Sequence, residues 1–203
     1  MADAKQVMEL RALTNAGVMD AKTALDEAGG DVQKAAELLR KKGIAKADKK
    51  SDRATAEGVI HAYVHANGKV GAMVEVLCET DFVARNEQFQ QFVHDLAMHV
   101  VAANPLYVRA EDVPAEVLEK EKQVFIEEVA AAGKPPEIVE KIVSGKIEKY
   151  LTDVCLMKQP FVKDEDVTVE ELTKSVTAKV GENIKVKRFV RMSLEAEQKP
   201  VEE

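Results

Sequence analysis

Four histidines and two cysteines are the side chains with which this 203-residue chain could hold a metal or attack a bond. His61 and His65 lie four residues apart on a segment that reads as a strand, about 13 Å at the usual rise. Two ligands of one zinc each sit about 2 Å from the ion, so this pair does not share a metal. His94 and His99 are five apart on a segment that reads as a helix, about 140° around its axis. They share no face. Cys78 and Cys155 are too few and too far apart in sequence for a disulfide scaffold. They are expected to be packed thiols, though a bridge between them stays open at this level. No Ser-His-Asp or Cys-His arrangement is recognisable, and no glycine-rich phosphate loop appears. The expectation is a protein that is not an enzyme, carries no cofactor or metal, and does not itself bind a nucleotide.

A different chemistry is written into Cys78-Glu79-Thr80-Asp81-Phe82-Val83-Ala84-Arg85-Asn86. An apolar strand pattern ends there, and a polar turn leads into an amphipathic helix. The chain has six phenylalanines, three tyrosines and no tryptophan, yet it places Phe82 on that turn beside a carboxylate. Such a ring is either the lid of a core or a wedge for a partner. Aromatic residues mostly bury within their own domain, which by itself favours the lid.

The surrounding elements must position this turn. Residues 1–45 read as three short helices, marked by Val7, Leu10 and Leu13, by Met19, Ala21, Ala24 and Leu25, and by Val32, Ala35, Ala36, Leu38 and Leu39. Asp31 is placed to cap the third after Gly29-Gly30. Each is too short to persist alone, so they pack into a compact domain of the ubiquitin-associated type. Arg40 to Arg53 is strongly basic and reads as a solvated connector, with the linker proper at 46–55.

Residues 56–196 read as an α+β core, a small antiparallel sheet covered by helices. Gly58 to Glu79 is a hairpin around Asn67-Gly68, its register left open. Val70, Ala72, Val74, Val76 and Cys78 share one face of the second strand, and Glu75 marks the wetter face. Asn86 is expected to cap a helix whose stripe is Phe89, Phe92, Val93, Leu96, Ala97 and Val100, ended by Asn104-Pro105. Helices follow from about Pro114 to Ala132 and from Pro136 to Tyr150, the junction forced by Gly133 and Pro135-Pro136. Asp153 to Met157 reads as a short strand. Thr168-Val169-Glu170-Glu171 opens a helix to about Val180, and Ile184 to Met192 is the last strand, with Lys185, Lys187 and Arg191 on its wet face. A frayed tail is expected over 197–203.

Composition narrows the classes further. A net charge of -7 argues against a general nucleic-acid binder. No apolar run approaches the roughly 20 residues needed to span a bilayer, and Met1 leads straight into an amphipathic pattern rather than a signal segment. A cytoplasmic setting, with no membrane and no specific nucleic acid as partner, is the expectation.

The Cys78–Asn86 stretch resembles the signature of the elongation factor Ts family, the guanine nucleotide exchange factors for elongation factor Tu. Two further blocks are similar to that family. One runs through Leu10-Arg11, Thr14 and Ala16-Gly17-Val18-Met19-Asp20-Ala21-Lys22 to Gly30-Asp31. The other is Gln159-Pro160-Phe161-Val162 with Gly181-Glu182-Asn183-Ile184 and Arg188-Phe189-Val190-Arg191. Asn15 stands where the family usually has glycine, and Leu77 where it often has asparagine. The resemblance implies that the chain binds elongation factor Tu–GDP and promotes GDP release by disturbing the partner's Mg²⁺ and phosphate site. On that basis Phe82 becomes the wedge, Asp81 its polar companion, and Thr80 and Val83 the residues that fix the turn. Arg11, Val18, Met19 and Lys22 match the positions that dock on the partner's nucleotide-binding domain. Short members pair, which implies a homodimer through the core domain, with the sheet edge near Ile184 to Met192 as an interface. The alternative is an RNA-binding or protein-interaction adaptor using the basic linker and the helical domain.

Overall fold

The structure is a computed structural model, described here over residues 3–14, 16–131 and 136–194. Three helices come first: α1 (Ala4–Thr14), α2 (Val18–Glu27) and α3 (Val32–Asp48). A hairpin of β1 (Glu57–Val64) and β2 (Val70–Cys78) leads through a one-turn α4 (Asp81–Ala84) into α5 (Glu87–Ala103). A 3-10 turn at Ala110–Asp112 precedes α6 (Ala115–Ala131) and α7 (Pro136–Val154), and a second follows at Leu156–Lys158. The chain closes with β3 (Pro160–Phe161), β4 (Asp164–Thr168), α8 (Val169–Val180) and β5 (Lys185–Ser193). The architecture is α+β, with a three-stranded sheet ordered β1-β2-β5 and a two-stranded ribbon of β3 and β4. The sheet is antiparallel: His65 N–H donates to the Val70 carbonyl, and Leu194 N–H to that of Lys69. Among the described residues, no helix is long and apolar enough to cross a membrane.

The chain divides into two compact units. The first comprises Met1–Val59, Val76–Phe92 and Glu171–Lys185. At its amino end Leu10, Ala21, Ala24, Leu25 and Ala35 form a closed core, flanked by Val7, Val32, Ala36 and Leu39. Leu13, expected in that core, is exposed instead. Asp31 caps α3 as expected, its Oδ1 accepting from the Gln33 and Lys34 N–H groups at 3.0 and 3.1 Å. Gly30 sits at φ 87°, a left-handed conformation that would strain any other residue, and donates its N–H to Leu25.

Helix α3 does not stop at residue 45. It continues to Asp48 and lies against α8, where a Cβ on Gly43 would stand 3.3 Å from that of Ala178. The basic stretch is therefore largely helical, and its cations have acidic neighbours: Lys42 with Glu27 at 2.7 Å, Lys46 with Asp20 at 3.4 Å, Arg40 with Glu171 at 4.0 Å.

The second unit comprises Ile60–Glu75, Val93–Glu170 and Val186–Glu203. The hairpin register resolves with His61 and Tyr63 half-buried and Ile60, Ala62 and Val64 exposed. On β2, Ala72 and Val74 are buried while Met73 is exposed, as the alternation predicts. Val93, Leu96, Ala97 and Val100 carry the buried stripe of α5. The expected strand at Asp153 to Met157 is instead the end of α7, an isolated bridge from Cys155 to Tyr107, and a 3-10 turn. Helical bonding runs on because Cys155 N–H still reaches the Leu151 carbonyl. Arg191 is not on the wet face: it is half-buried, its Nε donating to the Val101 carbonyl at 3.3 Å. Both Lys187 and Arg188 are exposed and both reach Glu75, so the alternation skips one residue and Arg191 turns inward. Gly133 and Pro135, Asn15 and the 197–203 tail lie outside the described residues.

Candidate functional site

Thr80 opens the turn. Its φ and ψ are extended (-130° and 158°), and its hydroxyl lies 3.5 Å from the Val83 N–H that it caps. One helical turn follows, then Asn86 takes over as the cap of α5, accepting from Gln88 N–H at 2.8 Å and Phe89 N–H at 3.3 Å. Two caps six residues apart hold the chain in a tight step. Val83 and Ala84 point inward and are buried, so the opposite side of the same turn faces out. Phe82 is on that side, 80% exposed. Asp81 is half-buried and pairs with Arg85 at 3.0 Å, one turn on. The lid reading of Phe82 fails, since Val83, not the ring, supplies the inward anchor.

The turn is secured from a distant part of the chain. Glu182, in the loop after α8, accepts the Glu79 N–H at 3.1 Å and the Thr80 N–H at 3.0 Å through one oxygen, and the Thr80 hydroxyl at 2.6 Å through the other. Asn183 N–H donates back to the Glu79 carboxylate at 2.6 Å, and that carboxylate also faces Arg53 at 3.5 Å. The Asn183 side-chain amide donates to the Ser51 and Arg53 carbonyls at 3.0 and 2.9 Å. Beneath the turn the buried Cys78 thiol donates to the Thr80 carbonyl at 3.2 Å. Burial, and after it the Glu182 charge, pushes this thiol up to about 11, so it is neutral and unreactive near pH 7. Both cysteines are buried and free.

The second group of expected site residues lies on the three-helix bundle. Val18 and Met19 open α2 and are 52% and 72% exposed, so neither serves the local core. Lys22 is exposed one turn on, and Arg11 is exposed on α1, its Nε donating to the Ala16 carbonyl at 3.1 Å. Leu13 of α1 is also exposed. Arg11 and Lys22 are thus exposed cations on the same bundle that exposes Val18 and Met19.

Spacing arguments within single elements missed a contact between two. His61 Nε2 and His94 Nδ1 are 3.0 Å apart, and Tyr63 meets the His94 ring edge-on. Burial, then the charge of His94, lowers the pKa of His61. Among the described residues, no three of His, Cys, Asp and Glu gather closely enough to hold a metal ion. Glu182 was also not foreseen in its contacts, although the Gly181-Glu182-Asn183-Ile184 block carried the signal that this loop mattered.

A family model described as Elongation factor TS matches residues 2–196. Elongation factor Ts of Geotalea uraniireducens is 53% identical over 191 residues, covering 94% of this chain and 88% of that protein. Elongation factor Ts of Thermosipho melanesiensis is 53% identical over 194 residues, covering 96% of this chain and 99% of that one. That of Carboxydothermus hydrogenoformans is 50% identical over 194 residues. Similarity of this extent spans both the bundle and the turn bearing Phe82, and the chain belongs to the elongation factor Ts family, factors of translation elongation in protein biosynthesis.

Proposed function

We propose that this protein is a guanine nucleotide exchange factor that binds elongation factor Tu–GDP and promotes GDP release by disturbing the partner's Mg²⁺ and phosphate site. The observation that carries the reading is Phe82, exposed on a turn whose neighbours Val83 and Ala84 are buried and whose start is held by Glu182. A GTPase holds its nucleotide through a phosphate loop and a bridging Mg²⁺. A factor speeds release only by binding better to the form in which those contacts are loosened. A ring presented on a fixed turn separates packed side chains near the metal, and the Asp81 carboxylate works beside it against phosphate. Thr80 and Val83 fix the turn. Nothing in this scheme asks for a covalent step by the exchange factor itself.

The bundle of residues 1–45 supplies a second contact, through Arg11, Val18, Met19 and Lys22. An apolar patch edged by methionine adapts to a helix on a partner surface. Two contacts on one chain raise the effective concentration of the second once the first has formed. The core over 56–196 presents the exchange turn and a dimer face: Ile60, Val64, Met73, Val190 and Met192 stand exposed on the outer side of the sheet. Apolar surface of this kind on a sheet supports a homodimer. The proposed setting is the cytoplasm, where translation elongation takes place.

The deciding experiment is release of labelled GDP from purified elongation factor Tu, with and without this protein. Removing a buried phenylalanine contact costs about 1.5–3 kcal/mol, so Phe82→Ala lowers stimulated release roughly ten- to a hundredfold. Full stimulation by a correctly folded Phe82→Ala protein overturns the wedge.

A further inference from the structure

We propose that Glu182 is a positioning residue for exchange, holding the start of the turn from the loop after α8 so that Phe82 is presented in one fixed direction. The inference rests on the exchange reading above and adds a residue to it.

A one-turn helix does not hold itself together, because fixing its dihedrals yields too few internal hydrogen bonds. The backbone N–H groups just before it have no helical partner either. Glu182 supplies what is missing. Its carboxylate takes two consecutive backbone N–H groups, those of Glu79 and Thr80, and the Thr80 hydroxyl, from 102 to 103 residues along the chain. Engaging the hydroxyl proton at 2.6 Å turns the oxygen lone pairs of Thr80 toward the Val83 N–H. The rotamer that caps the helix is thus selected by a group outside it. Hydrogen bonds to an ionised acceptor are shorter and stronger than neutral ones. The anchoring loop is itself tied down, by the Asn183 bonds to Glu79, Ser51 and Arg53 and by the Lys50 ammonium on the Gly181 carbonyl.

Phe82 lies two residues beyond this clamp, and its ring, four-fifths exposed, has little packing of its own to orient it. Its direction therefore comes from the backbone. A wedge on a loose turn must be ordered when it meets the partner, and that ordering cost falls on the step it accelerates.

The test pairs Glu182→Ala and Glu182→Gln with Phe82→Ala in the labelled-GDP release assay, alongside hydrogen exchange of the free protein. In Glu182→Ala the maximal release rate falls about tenfold, while the protein concentration at half-saturation changes little, because the bundle still docks. Glu182→Gln recovers part of the rate, since one amide oxygen still accepts the two N–H groups and the Thr80 hydroxyl can reverse to accept from the amide nitrogen. Amides of residues 79–84 lose protection in Glu182→Ala. In the Phe82→Ala background Glu182→Ala adds almost nothing, as required of a residue that acts through the ring.

Unchanged protection of residues 79–84 overturns the clamp without reference to any partner. A full additive loss in the Phe82→Ala background, or a wild-type maximal rate in Glu182→Ala while Phe82→Ala is impaired, overturns the positioning role and leaves the exchange reading standing. Full activity of Phe82→Ala overturns the exchange reading itself, and the role given to Glu182 falls with it. Should Glu182→Ala fail to fold, the Glu182→Gln rate and its additivity with Phe82→Ala decide the same question.

Discussion

Each nitrogen of the buried His99 ring has a partner. Nδ1 accepts the Val162 N–H at 3.2 Å, which requires it to be unprotonated, and Nε2 faces the Gln159 Oε1 at 3.0 Å, which requires it to carry the hydrogen. Gln159 is in turn fixed by donating to the Asp153 carbonyl at 2.7 Å. The tautomer is set by these neighbours, and a second proton has nowhere to go without breaking the Val162 bond. Burial lowers the pKa of His99 from its ordinary value of 6.5, against a smaller opposing effect of Gln159. A histidine whose folded pKa is depressed contributes stability that is full above its unfolded value and is lost as pH falls through the folded one. Unfolding by urea is therefore expected to show a midpoint that holds steady near pH 7 and falls below about pH 6.5, ahead of carboxylate titration. His99→Gln lowers the midpoint at pH 7 yet flattens that acid slope. A slope that is unchanged in His99→Gln assigns the pH dependence elsewhere, with His61 the next group to examine because burial lowers it too.

At the scale of elements, α5 shows how much was legible and where legibility ended. Its stripe of Phe89, Phe92, Val93, Leu96, Ala97 and Val100 is buried throughout, and Asn86 caps it, because helical period and cap chemistry are local properties of the sequence. Loss of that cap in Asn86→Ala is expected to cost about 1 kcal/mol, read as a lower melting temperature with the two-state transition preserved. Because Asn86 N–H also returns to the Val83 carbonyl, the loss is felt on both sides of the step. No change in melting temperature refutes the capping assignment. The β3–β4 ribbon was invisible for the opposite reason: Asp164-Glu165-Asp166 is a charged run with no alternation, and it pairs only because the turn after Phe161 brings it back. The His61–His94 and Glu182–Thr80 contacts were equally out of reach, since spacing within one element says nothing about which element lies opposite. The Phe82 turn was legible as a turn, but its one-turn helix and its outward ring follow from Val83 and Ala84 taking the inward positions.

At the scale of the molecule, the proposed homodimer makes a prediction about the outer face of the sheet. Strand alternation sends His61 and Tyr63 inward on β1 and leaves Ile60 and Val64 outside, 61% and 66% exposed. Met73 on β2 and Val190 and Met192 on β5 lie on the same side, and the order β1-β2-β5 makes their strands neighbours. On the same face Glu75 of β2 pairs with Lys187 at 2.7 Å and Arg188 at 2.5 Å on β5. Each large aliphatic side chain that such a pairing removed from water would contribute about 1.5–3 kcal/mol. A two-fold pairing of this face with its copy buries every residue of the set twice, which is how symmetric dimers reach the roughly 1,200–2,000 Å² of a stable interface. Sedimentation at micromolar concentration is expected to show a dimer. Val64→Glu puts a carboxylate on the face that would be buried in each copy, so it should sediment as a monomer with an unchanged circular dichroism spectrum. Val64 contributes nothing to the Phe82 turn, and the Val64→Glu monomer should therefore still release labelled GDP from elongation factor Tu. A wild-type protein that sediments as a monomer removes the dimer, and a Val64→Glu protein that remains dimeric moves the interface off this face.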